Sequence, residues 1–171
     1  MKYFPLRYRL NAEDRYLIWI SNEEDSVVVD SRGFIPSFKG PIDLHRYANL
    51  NHYSLENEEP VLHNLDRVAA WAVSPVPPVD CVEALVAWNL FVDVAASIVD
   101  RGIAFKRLDA DSELRATYDK VFWGNNLPSL TPKGEHYVPD WAPEEIASLA
   151  EILIAGLDMF ASCTRNWPLE P

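Results

Sequence analysis

The chain has 171 residues, enough to bury a core without a metal or a disulfide framework, and its 49% apolar and 24% charged content is that of an ordinary globular domain. Its 26 acidic and 15 basic residues give a formal charge of −11, which repels phosphate backbones and anionic bilayers, so neither nucleic acid nor membrane is an expected partner. Cys81 and Cys163 lie among apolar neighbours, and Pro5, Arg7 and Arg9 interrupt any leader-like run, so a cytoplasmic protein with reduced thiols is expected.

The first forty residues read as strands. Tyr3 to Leu10 opens the pattern, with Pro5 marking an edge or bulge, and Asn11 to Asp14 is a turn. In Arg15 to Ile20 both alternating sets are apolar, which predicts a central strand covered on both faces. Ser26 to Asp30 and Phe34 to Phe38 are further extended pieces around a turn at Gly33. After Gly40 the period changes. Pro41 suits a first helical position, and Leu44, Tyr47 and Ala48 form a short stripe. A weak strand is possible around His52 to Leu55. Pro60 is expected to open a helix with Val61, Leu65, Val68 and Ala72 on one face.

Asp80 and Glu83 form a D-x-x-E capping pattern ahead of an apolar helix expected to run to about Arg101-Gly102. Leu85, Trp88, Val92, Ala95 and Val99 make one stripe on it, and further apolar residues surround most of the rest, as in a central core helix. Asn89, Asp93, Ser97 and Asp100 form its polar strip. The acids in the Val79 to Val99 stretch speak against a membrane span. A helix ending at Gly124 and a last helix from about Pro143 follow, the latter with Glu144 and Glu145 favourably placed at its positive end. The expected fold is a single α+β domain over residues 1–171. Residues 1–40 are an antiparallel β-meander of three or four strands, and residues 41–171 a bundle of about four or five helices.

Signatures of catalysis are sparse. The chain lacks GxGxxG, GxxxxGK[ST], HExxH, CxxC and GxSxG, and its four histidines are dispersed, so no cofactor, metal site or catalytic residue is expected. Asp93 is the most unusual carboxylate. On a solvent-facing helix edge it is ordinary; desolvated in a pocket between meander and core helix, beside a histidine, it would suit a small hydrolase.

The acids cluster. Glu23-Glu24-Asp25 and Glu56, Glu58, Glu59 lie in expected loops, and residues 43–100 hold nine acids against two bases. Clustered carboxylates give solubility or, more specifically, a negative face that steers a basic partner. Six tryptophans are many for this length, and Trp123 and Trp141, at helix ends or in loops, are candidate anchors for such a partner. The expected binding set is Glu23, Glu24, Asp25, Glu56, Glu58, Glu59, Asp93, Trp123 and Trp141.

The segment Val27-Val-Val-Asp-Ser-Arg-Gly-Phe-Ile-Pro-Ser-Phe38, followed by Asp43-Leu44 and Tyr47-Ala48, resembles the strand–turn–strand–helix entry of immunity proteins from bacterial polymorphic-toxin and contact-dependent growth-inhibition systems. The resemblance covers about residues 15 to 50. It implies a non-enzymatic protein, monomeric or weakly dimeric, that neutralises a cognate toxin domain, often a nuclease with a basic cleft, in a one-to-one complex. The alternatives are a hydrolase centred on Asp93 and an unrelated regulatory interaction module.

Overall fold

A computed structural model describes residues 1–98 and 100–168. The chain is α+β, with a mixed sheet and six helices among the described residues. β1 (Lys2–Leu10) and β2 (Glu13–Ser21) form a long antiparallel hairpin. Its turn puts Asn11 and Ala12 at φ of 56° and 60°. The Asp66 carboxylate holds that turn, accepting the Asn11 and Ala12 N–H groups at 2.7 and 2.8 Å.

β3 (Ser26–Val27) and β4 (Ile35–Phe38) both pair with β2, at Trp19–Ile20 and at Tyr16 respectively. The antiparallel N-terminal strands are therefore present, but β4 returns to β2 instead of following β3 as a simple meander would. Two parallel edge strands come from the half expected to be helical. β5 (Leu62–Asn64) pairs with β1, and β6 (Thr164–Trp167) pairs with β4, giving the order β5-β1-β2-β4-β6. β5 replaces the start of the expected Pro60 helix, and α2 (Leu65–Val73) begins only where Asn64 accepts the Arg67 N–H.

The hairpin is buried on both faces, as the double apolar pattern of β2 requires: Leu17 and Ile18 are both buried. One face packs under α1 (Pro41–Leu50), where Leu44, Tyr47 and Ala48 meet Ile18 and Phe38. The other carries Leu6, Tyr8 and Leu17 into the main core with α2, α3 (Cys81–Ser97), α4 (Ile103–Asp109), α5 (Ser112–Gly124) and α6 (Pro143–Cys163). The Tyr8 hydroxyl and buried Ser37 satisfy each other at 2.6 Å, so the strand layer places no unpaired hydroxyl in that core.

α3 ends at Ser97, short of the expected Arg101-Gly102, so Asp100 lies beyond the helix; Val99 of the expected stripe is outside the described residues. The chain doubles back against α3 at Gly102, where a Cβ would sit 2.4 Å from the Ala95 carbonyl, and it re-enters a helix as α4. Of the D-x-x-E pattern only half is capping: Asp80 accepts the Glu83 N–H, while the Glu83 carboxylate pairs with Arg67 at 2.9 Å. α6 is long and apolar enough to cross a membrane by length and composition, but Leu149, Leu153 and Phe160 are core residues of this domain.

Candidate functional site

The site lies where the sheet and α3 part at the outer edge of β1. Tyr3 bridges Leu55, and Arg7 bridges Leu62. Four steps along β1 are thus matched by seven along its neighbour, so the surplus residues arch away from the edge. Glu56 donates its N–H to the Tyr3 carbonyl at 2.8 Å, so the odd residues of β1 face this edge. Pro5 is among them, and its nitrogen has no hydrogen to leave unpaired where the arch lifts off.

The opening is a groove of about 640 Å³, within the range of small-ligand pockets, about 300–1,000 Å³. Phe4, Leu6 and Trp19 form its sheet side, Val86, Leu90 and Val92 its helix side, and Pro60 and Val61 its arch. Phe4 and Trp19 are tilted rings 5.6 Å apart. Val61 is 79% exposed and forms an apolar lip on the arch.

Acids from three distant segments meet here: Asp25 from the β2–β3 turn, Glu58 and Glu59 from the arch, and Asp93 from α3. Lysine and arginine are absent from the lining among the described residues. Asp93 is half-buried. Its Oδ2 accepts the Trp19 indole N–H at 2.8 Å, and Oδ1 has no hydrogen bond among the described residues. Burial pushes its carboxyl pKa up to about 6; the indole bond opposes this, and the charge of Asp25 adds to it. Ser97, one turn on, accepts the Val27 N–H and donates to the Asp93 carbonyl, both at 2.8 Å. The polar strip of α3 is therefore not a plain solvent edge. Asp93 and Ser97 fasten the helix to β2 and β3.

The remaining expected residues divide. Glu23 and Glu24 are exposed beside Asp25, in the same turn. Glu56 is turned to Lys2, 3.6 Å away, and does not line the groove. Trp123, 51% exposed at the end of α5, and Trp141, half-buried 5.9 Å from the Lys120 ammonium, lie off the groove. Sequence reasoning did not single out Phe4, Val61 or His63. Their placement depends on the arch and on β5, which is too short to show a period.

His63 lines the groove with Asp93, but its Nδ1 lies 3.2 Å from the Val61 carbonyl, which ties the ring to the main chain, and burial pushes its pKa below the usual imidazole range. Among the described residues the lining holds no serine, threonine, cysteine, tyrosine or lysine. Among the described residues no group of His, Cys, Asp and Glu is arranged to hold a metal ion.

No family model matches the sequence. No curated protein matches it. The fold is similar to that in "The crystal structure of SatS c-terminal domain in complex with bromine", with a TM-score of 0.57 and 15% identical residues over 96% of this chain and 93% of that one. At that identity the likeness establishes a shared fold.

Proposed function

We propose that this protein is a non-enzymatic binding protein that uses the groove and its acidic rim to hold a basic surface of a protein partner. We further propose that the partner is a cognate toxin domain, neutralised in a one-to-one complex in the cytoplasm. The observation that carries the reading is the convergence of Asp25, Glu58, Glu59 and Asp93 on one groove without a lysine or arginine in its lining. Three segments distant in the chain bring these carboxylates to one groove with an aromatic floor, and the charge of Asp25 adds to the burial that disfavours ionisation of Asp93. A basic partner relieves that repulsion, and the apolar walls give it area to bury.

The test is co-expression with the C-terminal domain of the large secreted protein expected to be encoded immediately upstream. Growth is restored by the wild-type chain and not by Glu58→Lys/Glu59→Lys. Equal rescue by both, or none by either, overturns the reading.

A second reading, hydrolysis by Asp93, is favoured by His63 sharing the groove. Against it stand the occupied Oδ2 of Asp93 and the tied ring of His63. Turnover of any substrate that is abolished by Asp93→Asn would establish it.

A further inference from the structure

We propose that the groove is a socket for one arginine side chain in a segment of the partner, with its guanidinium against Asp93 Oδ1 and its methylene stem along Phe4, Trp19 and Leu90. The inference rests on the binding reading above and names what enters the site.

Three observations select this occupant. First, the charge is one-sided. Asp25 lines the groove from the β2–β3 turn, Glu58 and Glu59 from the arch, and among the described residues the lining holds no lysine or arginine, while burial disfavours the charged form of His63. An anionic or neutral segment would leave that charge unbalanced. Second, the walls are apolar and aromatic along the path to the carboxylate. A side chain that follows them needs a long aliphatic stem and a cationic tip, which only lysine and arginine have. Arginine is favoured over lysine because its guanidinium is weakly hydrated, stacks on aromatic faces and makes charge-assisted hydrogen bonds to a carboxylate. Third, the Trp19 indole holds Asp93 Oδ2, and Oδ1, which is not among the buried unpaired polar atoms, is left accessible from the groove. The groove follows the face of β1 from Phe4 to Leu6, and between the Leu55 and Leu62 bridges the edge-facing residue is Pro5, which has no N–H to donate, so the segment is held through its side chain.

The guanidinium offsets the burial and the Asp25 repulsion that favour the protonated form of Asp93, so binding at pH 6 releases up to about half a proton per site to solvent. The step is an ion pairing with no bond made or broken beyond that O–H.

The test uses the full chain, labelled with 15N and titrated with a capped Val-Arg-Val-Arg-Val peptide, its lysine counterpart and its citrulline counterpart. Citrulline keeps the shape and removes the charge. The Trp19 indole resonance is expected to shift saturably, with the arginine peptide bound at least tenfold more tightly than the citrulline one and severalfold more tightly than the lysine one. Asp93→Asn, which keeps an acceptor for Trp19, is expected to erase the preference for arginine over citrulline while leaving resonances outside the groove in place. Calorimetry at pH 6 in two buffers of different ionisation heat should show the released proton. Equal binding of arginine and citrulline peptides, or no saturable shift at Trp19, overturns the socket. Growth rescue that survives Asp93→Asn alongside failed peptide binding also overturns it, and leaves neutralisation standing. Arginine-selective binding at Trp19 without growth rescue supports the socket and removes neutralisation.

Discussion

Trp19 and Asp93 lie 74 residues apart in the chain, and the indole N–H of one donates to Oδ2 of the other at 2.8 Å. That bond ties β2 to the C-terminal part of α3, and both residues line the groove. It also fixes a carboxylate in surroundings that disfavour its charge, with a pKa of about 6 instead of 3.8. Between those two values the folded protein holds a proton that the unfolded chain has lost. The stability this contributes is present in full below about pH 4 and is lost as pH rises through 6.

Asp93→Asn keeps the acceptor for Trp19 and removes the buried charge. After discounting for part exposure, the gain at pH 8 is on the order of 1–2 kcal/mol. Thermal unfolding should show the variant a few degrees more stable at pH 8 and level with the wild type at pH 4. A variant less stable at pH 8 would mean that the carboxylate serves the fold and not a partner.

Trp123 and Trp141 were expected to be anchors, yet neither lines the groove. If the groove is the contact, Trp123→Ala should leave the affinity for the toxin domain within about twofold, under 0.5 kcal/mol by the usual conversion. A loss of tenfold or more in surface-binding measurements would move the interface to the end of α5.

α6 and α3 approach so closely at Gly156 that a Cβ there would sit 2.0 Å from the buried Phe91 ring. The fully buried Phe91 ring, set between Phe105 and Phe160, cannot yield without disturbing those neighbours. Gly156→Ala should destabilise by about 1–3 kcal/mol, read as a lower urea midpoint with an unchanged slope. An unchanged midpoint would show that the two helices can slide apart at little cost.

The hairpin turn offers the opposite change. Ala12 sits at φ 60°, a left-handed conformation that disfavours a Cβ, and its N–H is held by Asp66. Ala12→Gly completes an Asn-Gly turn and should raise stability by about 0.5–1 kcal/mol in the same denaturation assay. A loss would mean that the entropy of the added glycine outweighs the relief of strain.

How much of this was legible in the sequence varied with the length of the signal. The double apolar pattern of Arg15 to Ile20 foretold a strand buried on both faces because the alternation runs over six residues, and Leu44, Tyr47 and Ala48 foretold the face of α1 because the stripe follows Pro41 at a helix start. β5 and β6 were missed. Strands of three and four residues carry no usable period, and Leu65, Val68 and Ala72 extended a helical pattern backwards over the first of them. The polar strip of α3 was visible, but its role was set by β2 and β3, which bring Trp19 and the Val27 N–H to it from far along the chain. The acidic clusters were equally plain. That Asp25, Glu58 and Glu59 share a groove with Asp93, while Glu56 turns to Lys2, follows from the arch between Leu55 and Leu62, whose course no local pattern encodes.

The central claim is that the acidic groove receives a basic surface, and the association rate tests it most directly. Stopped-flow mixing of the chain with its toxin domain should give a rate that falls steeply between about 0.02 and 0.5 M salt, as screening lengths shrink from tens of ångströms to a few. Glu58→Lys/Glu59→Lys should slow association at least tenfold at low salt and converge on the wild-type rate at high salt. A rate indifferent to both salt and the double charge reversal would contradict the account.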